Sequence, residues 1–122
     1  MKNYKELIIW QRGMEIVKTI YTIIKQFPVE EKFGIVSQIT RAAVSIPANI
    51  AEGSSRNSDK DYARFLQIAL GSAFEIQTYL IISKDMHWAK IDEIEKLELV
   101  LEHEIKMIHK FINTLKMPTA NS

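Results

Sequence analysis

The chain of 122 residues contains no cysteine, which excludes a disulfide framework, a thiolate zinc site and a thiol nucleophile together. Charge of one sign is also missing. Sixteen Lys and Arg stand against 15 Asp and Glu, for a formal net charge of +1. Nucleic acid or an acidic membrane therefore feels no bulk attraction, and such binding would have to come from local clustering or from assembly. Long apolar runs are absent as well. Met1 to Tyr4 is polar, and Leu7, Ile8, Ile9 and Trp10 are cut off by Gln11 and Arg12, far short of the roughly 18 apolar residues a membrane span needs. A cytoplasmic location without membrane contact is the resulting expectation. Two-residue alternation, the mark of a half-buried strand, is nowhere sustained.

What is present is a globular profile, 47% hydrophobic and 25% charged, with apolar residues returning at three- and four-residue steps. The length suits one domain over residues 1–122, in which about two-thirds of the unfolded surface is buried without metal or disulfide support. Four helices are the simplest parse. The first spans 8–26, with Trp10, Met14, Val17, Tyr21 and Ile24 on one stripe and Ile16, Ile20, Ile23 and Phe27 on its neighbour, and Pro28 stops it. The second spans 30–54, with Glu30 and Glu31 at its positive end and Ile35, Ile39, Ala42, Ala43, Ile46 and Ile50 inward. Pro47 inside it removes one hydrogen bond at a cost of about 3 kcal/mol, so a kink is expected, with a break at Ile46 the alternative. Ser58 and Asp61 resemble a capping box opening the third, 58–85, whose row is Tyr62, Leu66, Ala69, Ala73, Ile76 and Leu80. Gly71 and Ser72 would let another helix approach closely. Asp92 can cap the fourth, 92–116, with Ile94, Leu97, Leu101, Ile105, Ile108, Ile112 and Leu115 inward. Short connections favour an all-α, up-down-up-down antiparallel four-helix bundle.

Such a bundle can house a di-iron site, which needs Glu-x-x-His pairs facing inward. The residues three before His87, His103 and His109 are Lys84, Val100 and Lys106, so that motif is missing. Glu102, His103 and Glu104 are adjacent on a helix and point in different directions, which makes them solvated surface residues on this reading. Ser37, Ser45 and Ser72 have no histidine close in sequence and no elbow glycines. Gly53, Ser54 and Ser55 lack the second glycine and the lysine of a phosphate loop. The expectation is no catalytic residue, no metal, no cofactor and no enzymatic activity.

Two clusters carry the candidate sites. Gln38, Arg41, Ser45, Asn49, Glu52 and Arg56 follow helical steps and form a polar seam beside the second helix's apolar row. Its plain reading is hydrogen bonding between helices or subunits, and its functional reading is a binding groove. A hairpin about Arg56 and Asn57 places Arg41 near Glu75 and predicts an ion pair there. The second cluster, Arg56, Lys60 and Arg64, is the best basic patch, diluted by Asp59 and Asp61. Lys2, Lys5 and Arg12 offer another. Repeating either around a ring would strengthen its attraction for phosphates. The doubled stripes of the first helix, with Leu99, Val100, Met107 and Phe111 off the inward line of the last, point to self-assembly.

Several stretches carry a family likeness. Leu7 to Arg12 resembles an "L-x-x-W-Q" opening, and Phe27, Pro28, Glu31, Lys32, Phe33 and Gly34 resemble "F-P-x-x-E-x-[FY]-G". Ser37 through Gly53 resembles the signature "S-Q-x-x-R-A-x-x-S-I-P-x-N-I-A-E-G" of four-helix bundle proteins related to the 23S rRNA intervening-sequence protein. Ala69, Leu70, Gly71, Ser72 and Glu75 match its "A-x-G-S-x-x-E" segment, so the likeness runs from about Leu7 to Leu115. It implies a left-handed antiparallel bundle, a homopentamer with a kinked second helix, and no established catalytic activity. The family's older ribosomal label reflects where its genes were found. A related group, the accessory variability determinant of diversity-generating retroelements, is similar but strongly basic, and this chain departs from it in net charge. Two functional readings follow: an oligomer binding structured RNA such as rRNA, or a scaffold for another protein, for example as an accessory subunit of a nucleic-acid enzyme.

Overall fold

The computed structural model describes residues 3–116. After a 3-10 turn at Tyr4–Glu6 come four helices: α1 (Ile8–Ile23), α2 (Ile35–Ser54), α3 (Asp59–Asp85) and α4 (Ile91–Lys116). No strand occurs among the described residues. Each helix packs on the next in sequence and α4 closes against α1. Neighbours pair in opposite directions. Gln26, just past α1, reaches Glu93 at the start of α4; Ser45 in α2 meets Ser72 in α3; Lys84, late in α3, bonds Glu98 early in α4 at 2.8 Å, an interaction that raises the lysine's pKa. The chain forms the all-α four-helix bundle that its periodicity implies.

Helix ends follow local chemistry. Pro28 cannot continue a helix, and α1 tightens into a 3-10 turn over Ile24–Gln26 before it. Glu30 and Glu31 sit in a separate 3-10 turn, Val29–Glu31, so α2 begins later than the sequence suggests, after Gly34. The Ser58 hydroxyl accepts the Asp61 N–H at 3.1 Å, as the capping pattern predicts. The end of α3 closes with the N–H of His87 on the Lys84 carbonyl and that of Trp88 on the Ser83 carbonyl, a Schellman arrangement in which His87 adopts φ 58°. Trp88 then packs on Phe27 at 5.6 Å between ring centroids. The expected Asp92 cap is replaced: α4 starts at Ile91, and the Gln26 side chain accepts the Lys90 N–H at 3.0 Å from across the bundle. The α2 helix runs through Pro47 without a break at Ile46.

Ile16, Ile20 and Ile23 on α1, Ile39, Ala43, Ile46 and Ile50 on α2, and Leu66, Ala69, Ala73, Ile76 and Leu80 on α3 are buried together. The other α1 stripe, Trp10, Met14, Val17 and Ile24, is half-buried, and Tyr21 is exposed. On α4 the buried row is Ile94, Leu97, Leu101, Glu104, Ile108 and Ile112, while Ile105 is only half-buried. Glu104 therefore occupies a core position, which corrects its reading as a solvated residue. Alternating three- and four-residue steps from Ile94 land on 104, and the carboxyl is carried inward by that geometry despite its chemistry.

Two glycines differ in what surrounds them. A Cβ on Gly53 would stand 2.9 Å from the Phe65 Cβ and 2.9 Å from the Tyr62 ring, so α2 and α3 meet there only because it is absent. Gly71 behaves otherwise. A Cβ there meets nothing within 4 Å, and only Ser72 of the small pair serves helix packing inside the bundle. Around Gly71 the outer side of α3 keeps Ile68, Phe74, Ile81 and Ile82 exposed, Phe74 at 49% and Ile81 at 50%. That helix is apolar enough by composition to cross a membrane, yet its other face is the centre of the core.

Candidate functional site

The antiparallel pairing gathers cations at one end of the bundle. Arg56 follows α2, Lys60 and Arg64 lie on the first turns of α3, and Lys116 ends α4, sharing a surface hollow with Lys60, Arg64 and Leu115. The Tyr4–Glu6 turn, with Lys5, packs at the same end of α2, where Tyr4 and Ala51 line one groove. Lys2 lies outside the described residues. Arg12 on α1 is half-buried, away from this cluster, and its charge acts on Glu104.

Geometry sharpens this cluster beyond its charge. The guanidinium carbons of Arg56 and Arg64 stand 4.6 and 4.7 Å from the centroid of the Phe65 ring, so an aromatic face from α3 is flanked by two arginines. Gly53 lets Phe65 sit this close to α2. Each arginine also has a carboxylate: Arg56 pairs with Glu52 at 2.7 Å and Arg64 with Asp61 at 3.8 Å. Exposed pairs of this kind are worth about 0 to 1 kcal/mol, so they orient the guanidiniums while leaving their remaining donors available. Phe65 and Lys116 join the cluster only in three dimensions. The heptad rows pair the start of α3 with the end of α4, which is the signal for Lys116. Phe65 is off the inward row and adjacent to Arg64, which gives no comparable signal.

The polar seam divides into two parts. In its middle, Ser45 Oγ accepts from Ser72 Oγ at 2.8 Å and from Asn49 Nδ2 at 2.9 Å, and Asn49 also donates to the Ser45 carbonyl at 2.8 Å. These groups satisfy one another and fix α2 on α3. Toward its ends Gln38, Arg41, Glu52 and Arg56 are exposed. The expected Arg41 to Glu75 ion pair does not form. Ser45 opposite Ser72 brings Arg41 level with Ile76, one position from Glu75, so the register suits the pair, but both side chains are exposed and do not meet. Glu75 instead accepts the Tyr79 hydroxyl at 2.7 Å, which raises the tyrosine's pKa.

Among the described residues, no group of three or more His, Asp or Glu side chains is placed to hold a metal ion. Glu104 is isolated from His103, which is exposed.

Comparison with known proteins joins this geometry to a family. A solved structure from Bacteroides thetaiotaomicron, described as a protein of unknown function from the S23 ribosomal protein family, superposes with a TM-score of 0.78 at 25% identity, covering 90% of this chain and 100% of its own. Among curated proteins there is no match. The family model described as 23S rRNA-intervening sequence protein matches residues 5–110. With nearly the whole helical bundle inside that match, the chain belongs to the 23S rRNA-intervening sequence protein family.

Proposed function

We propose that this protein acts by binding and not by catalysis, as a homo-oligomer that presents its cationic end to structured RNA. The observation that carries the reading is the Arg56, Phe65, Arg64 arrangement. Guanidinium groups spread over an aromatic ring offer both phosphate-pairing donors and flat surfaces for exposed bases, the chemistry by which proteins recognise folded RNA. Net charge of +1 on one chain is too small for tight binding, and repetition of Lys5, Arg56, Lys60, Arg64 and Lys116 around an assembly supplies the missing attraction. The outer row of α3 supports assembly, since Phe74 and Ile81 are half exposed on an otherwise well-packed bundle. Subunit number rests on the family likeness, which points to five.

Filter binding of 23S rRNA fragments over a salt series tests the proposal. Affinity should fall steeply with salt, and Arg56→Ala with Arg64→Ala should flatten the log-log slope by about one unit for each phosphate no longer neutralised. No retention at low salt would refute it. The neutralising partners Glu52 and Asp61 favour a second reading, a scaffold for a protein such as a subunit of a nucleic-acid enzyme. Recovery of one protein after nuclease treatment, with no RNA retention, would select that reading.

A further inference from the structure

The junction of α1, α2 and α4 holds an unpartnered carboxyl close to the point where a proline interrupts the hydrogen bonds of α2. Glu104 is fully buried, with 0% exposure, and neither carboxyl oxygen has a hydrogen-bond partner. On α2, Pro47 has no N–H, so the carbonyl of Ala43, a fully buried residue, lacks the donor that a helix normally supplies. A buried carbonyl without a donor is costly, and so is a buried carboxylate without one.

Gly13 on α1 brings Glu104 and Pro47 to one point. The point where its Cβ would lie is 3.4 Å from Glu104 Oε2, 3.4 Å from Pro47 Cδ and 3.2 Å from Ile46 Cγ2. In a helix the proline Cδ takes the place of the missing amide hydrogen and crowds the carbonyl four residues back. Missing side-chain bulk at Gly13 thus leaves the Glu104 carboxyl and the Pro47 ring facing the same small space. As a carboxylate, Glu104 would add two acceptors to a place that already has one acceptor too many. As a carboxylic acid it has one O–H to give.

We propose that Glu104 keeps its proton in the folded protein and donates it to the Ala43 carbonyl, so that Gly13, Pro47 and Glu104 form one polar node across three helices. The surroundings favour the neutral form. Burial pushes the carboxyl up to about 8; Arg12 on α1 lowers it by a smaller amount and Glu15 on the same helix raises it. On α2 the node is bounded by the uncharged Ile46 and Pro47. In the register set by Tyr62 against Phe111, α3 contributes Ala69 at this level. One turn away on α4 itself stand Val100, Leu101, Met107 and Ile108, all apolar. Folding at neutral pH therefore takes up a proton.

Carbon-detected NMR on the full-length, labelled wild-type protein tests both halves. The Glu104 carboxyl carbon, assigned through its bonded neighbours in the wild type, should stay at the position of a protonated acid through about pH 6 to 7 and move only as pH approaches about 8. The backbone carbonyl carbon of Ala43 should shift with the same midpoint and lose that step in Glu104→Gln. Titration of Glu104 near 4.5, the ordinary value, overturns the retained proton. An Ala43 carbonyl that does not follow Glu104 overturns the hydrogen bond, and neither measurement on the wild type depends on a variant folding.

Discussion

Replacing Glu104 with Gln should make the protein more stable at neutral pH, by an amount fixed by the gap between the two states of one carboxyl. In the unfolded chain it titrates at the ordinary 4.5, and in the bundle burial moves it to about 8. Between those values the folded protein holds a proton that the unfolded chain has released. Stability from this group is complete below pH 4.5 and is lost as pH rises through about 8. At about 1.4 kcal/mol for each pH unit, the loss reaches about 3 kcal/mol by about pH 7 and about 5 kcal/mol above about pH 8. Glutamine has nearly the same shape, keeps a donor for the Ala43 carbonyl and does not ionise. Urea unfolding at fixed protein concentration, from about pH 5 to about pH 8.5, should show wild-type stability falling along this course and a much flatter profile for the variant. The remaining carboxylates contribute equally to both and cancel in the difference. A difference between the two proteins that does not change with pH would refute the reasoning.

Three other substitutions probe the packing. Gly53→Ala forces a methyl to within 2.9 Å of Phe65 and Tyr62 and should cost about 1 to 3 kcal/mol in thermal or urea unfolding, separating Phe65 from α2. His87→Gly should add about 1 kcal/mol, because His87 holds φ 58° at the end of α3, where glycine has no steric penalty. Ile108→Ala should cost about 2 to 5 kcal/mol, and Ile105→Ala clearly less, since only Ile108 is fully buried.

Much of this fold is legible in the sequence because burial follows helical spacing. The α3 row, Leu66, Ala69, Ala73, Ile76 and Leu80, is read directly from its periodicity and is buried throughout. Prolines and capping residues place the helix ends to within a few residues, and the larger shift, at the start of α2, arises because Glu30 and Glu31 suit a 3-10 turn as well as an α-helical one. Glu104 escapes a reading by residue chemistry, which favours apolar Ile105 for the core, although 101, 104 and 108 continue the row. The Arg41 to Glu75 pairing fails for a different reason. Ser45 against Ser72 brings Arg41 beside the level of Glu75, yet both side chains are exposed, and Glu75 takes the hydroxyl of Tyr79 one turn along its own helix. The candidate site is partly visible, since Arg56, Lys60 and Arg64 cluster in sequence, but the arginine-flanked Phe65 depends on the three-dimensional approach permitted by Gly53.

The proposed assembly needs the half-exposed apolar row on α3 as its contact between copies of this chain. Sedimentation equilibrium of the wild type beside Ile81→Glu tests it most directly. The wild type should give a mass that is a multiple of 14.1 kDa, five-fold on the family likeness, and the variant should fall to single-chain mass while keeping its helical content. A wild type at 14.1 kDa across the concentration range would contradict the account.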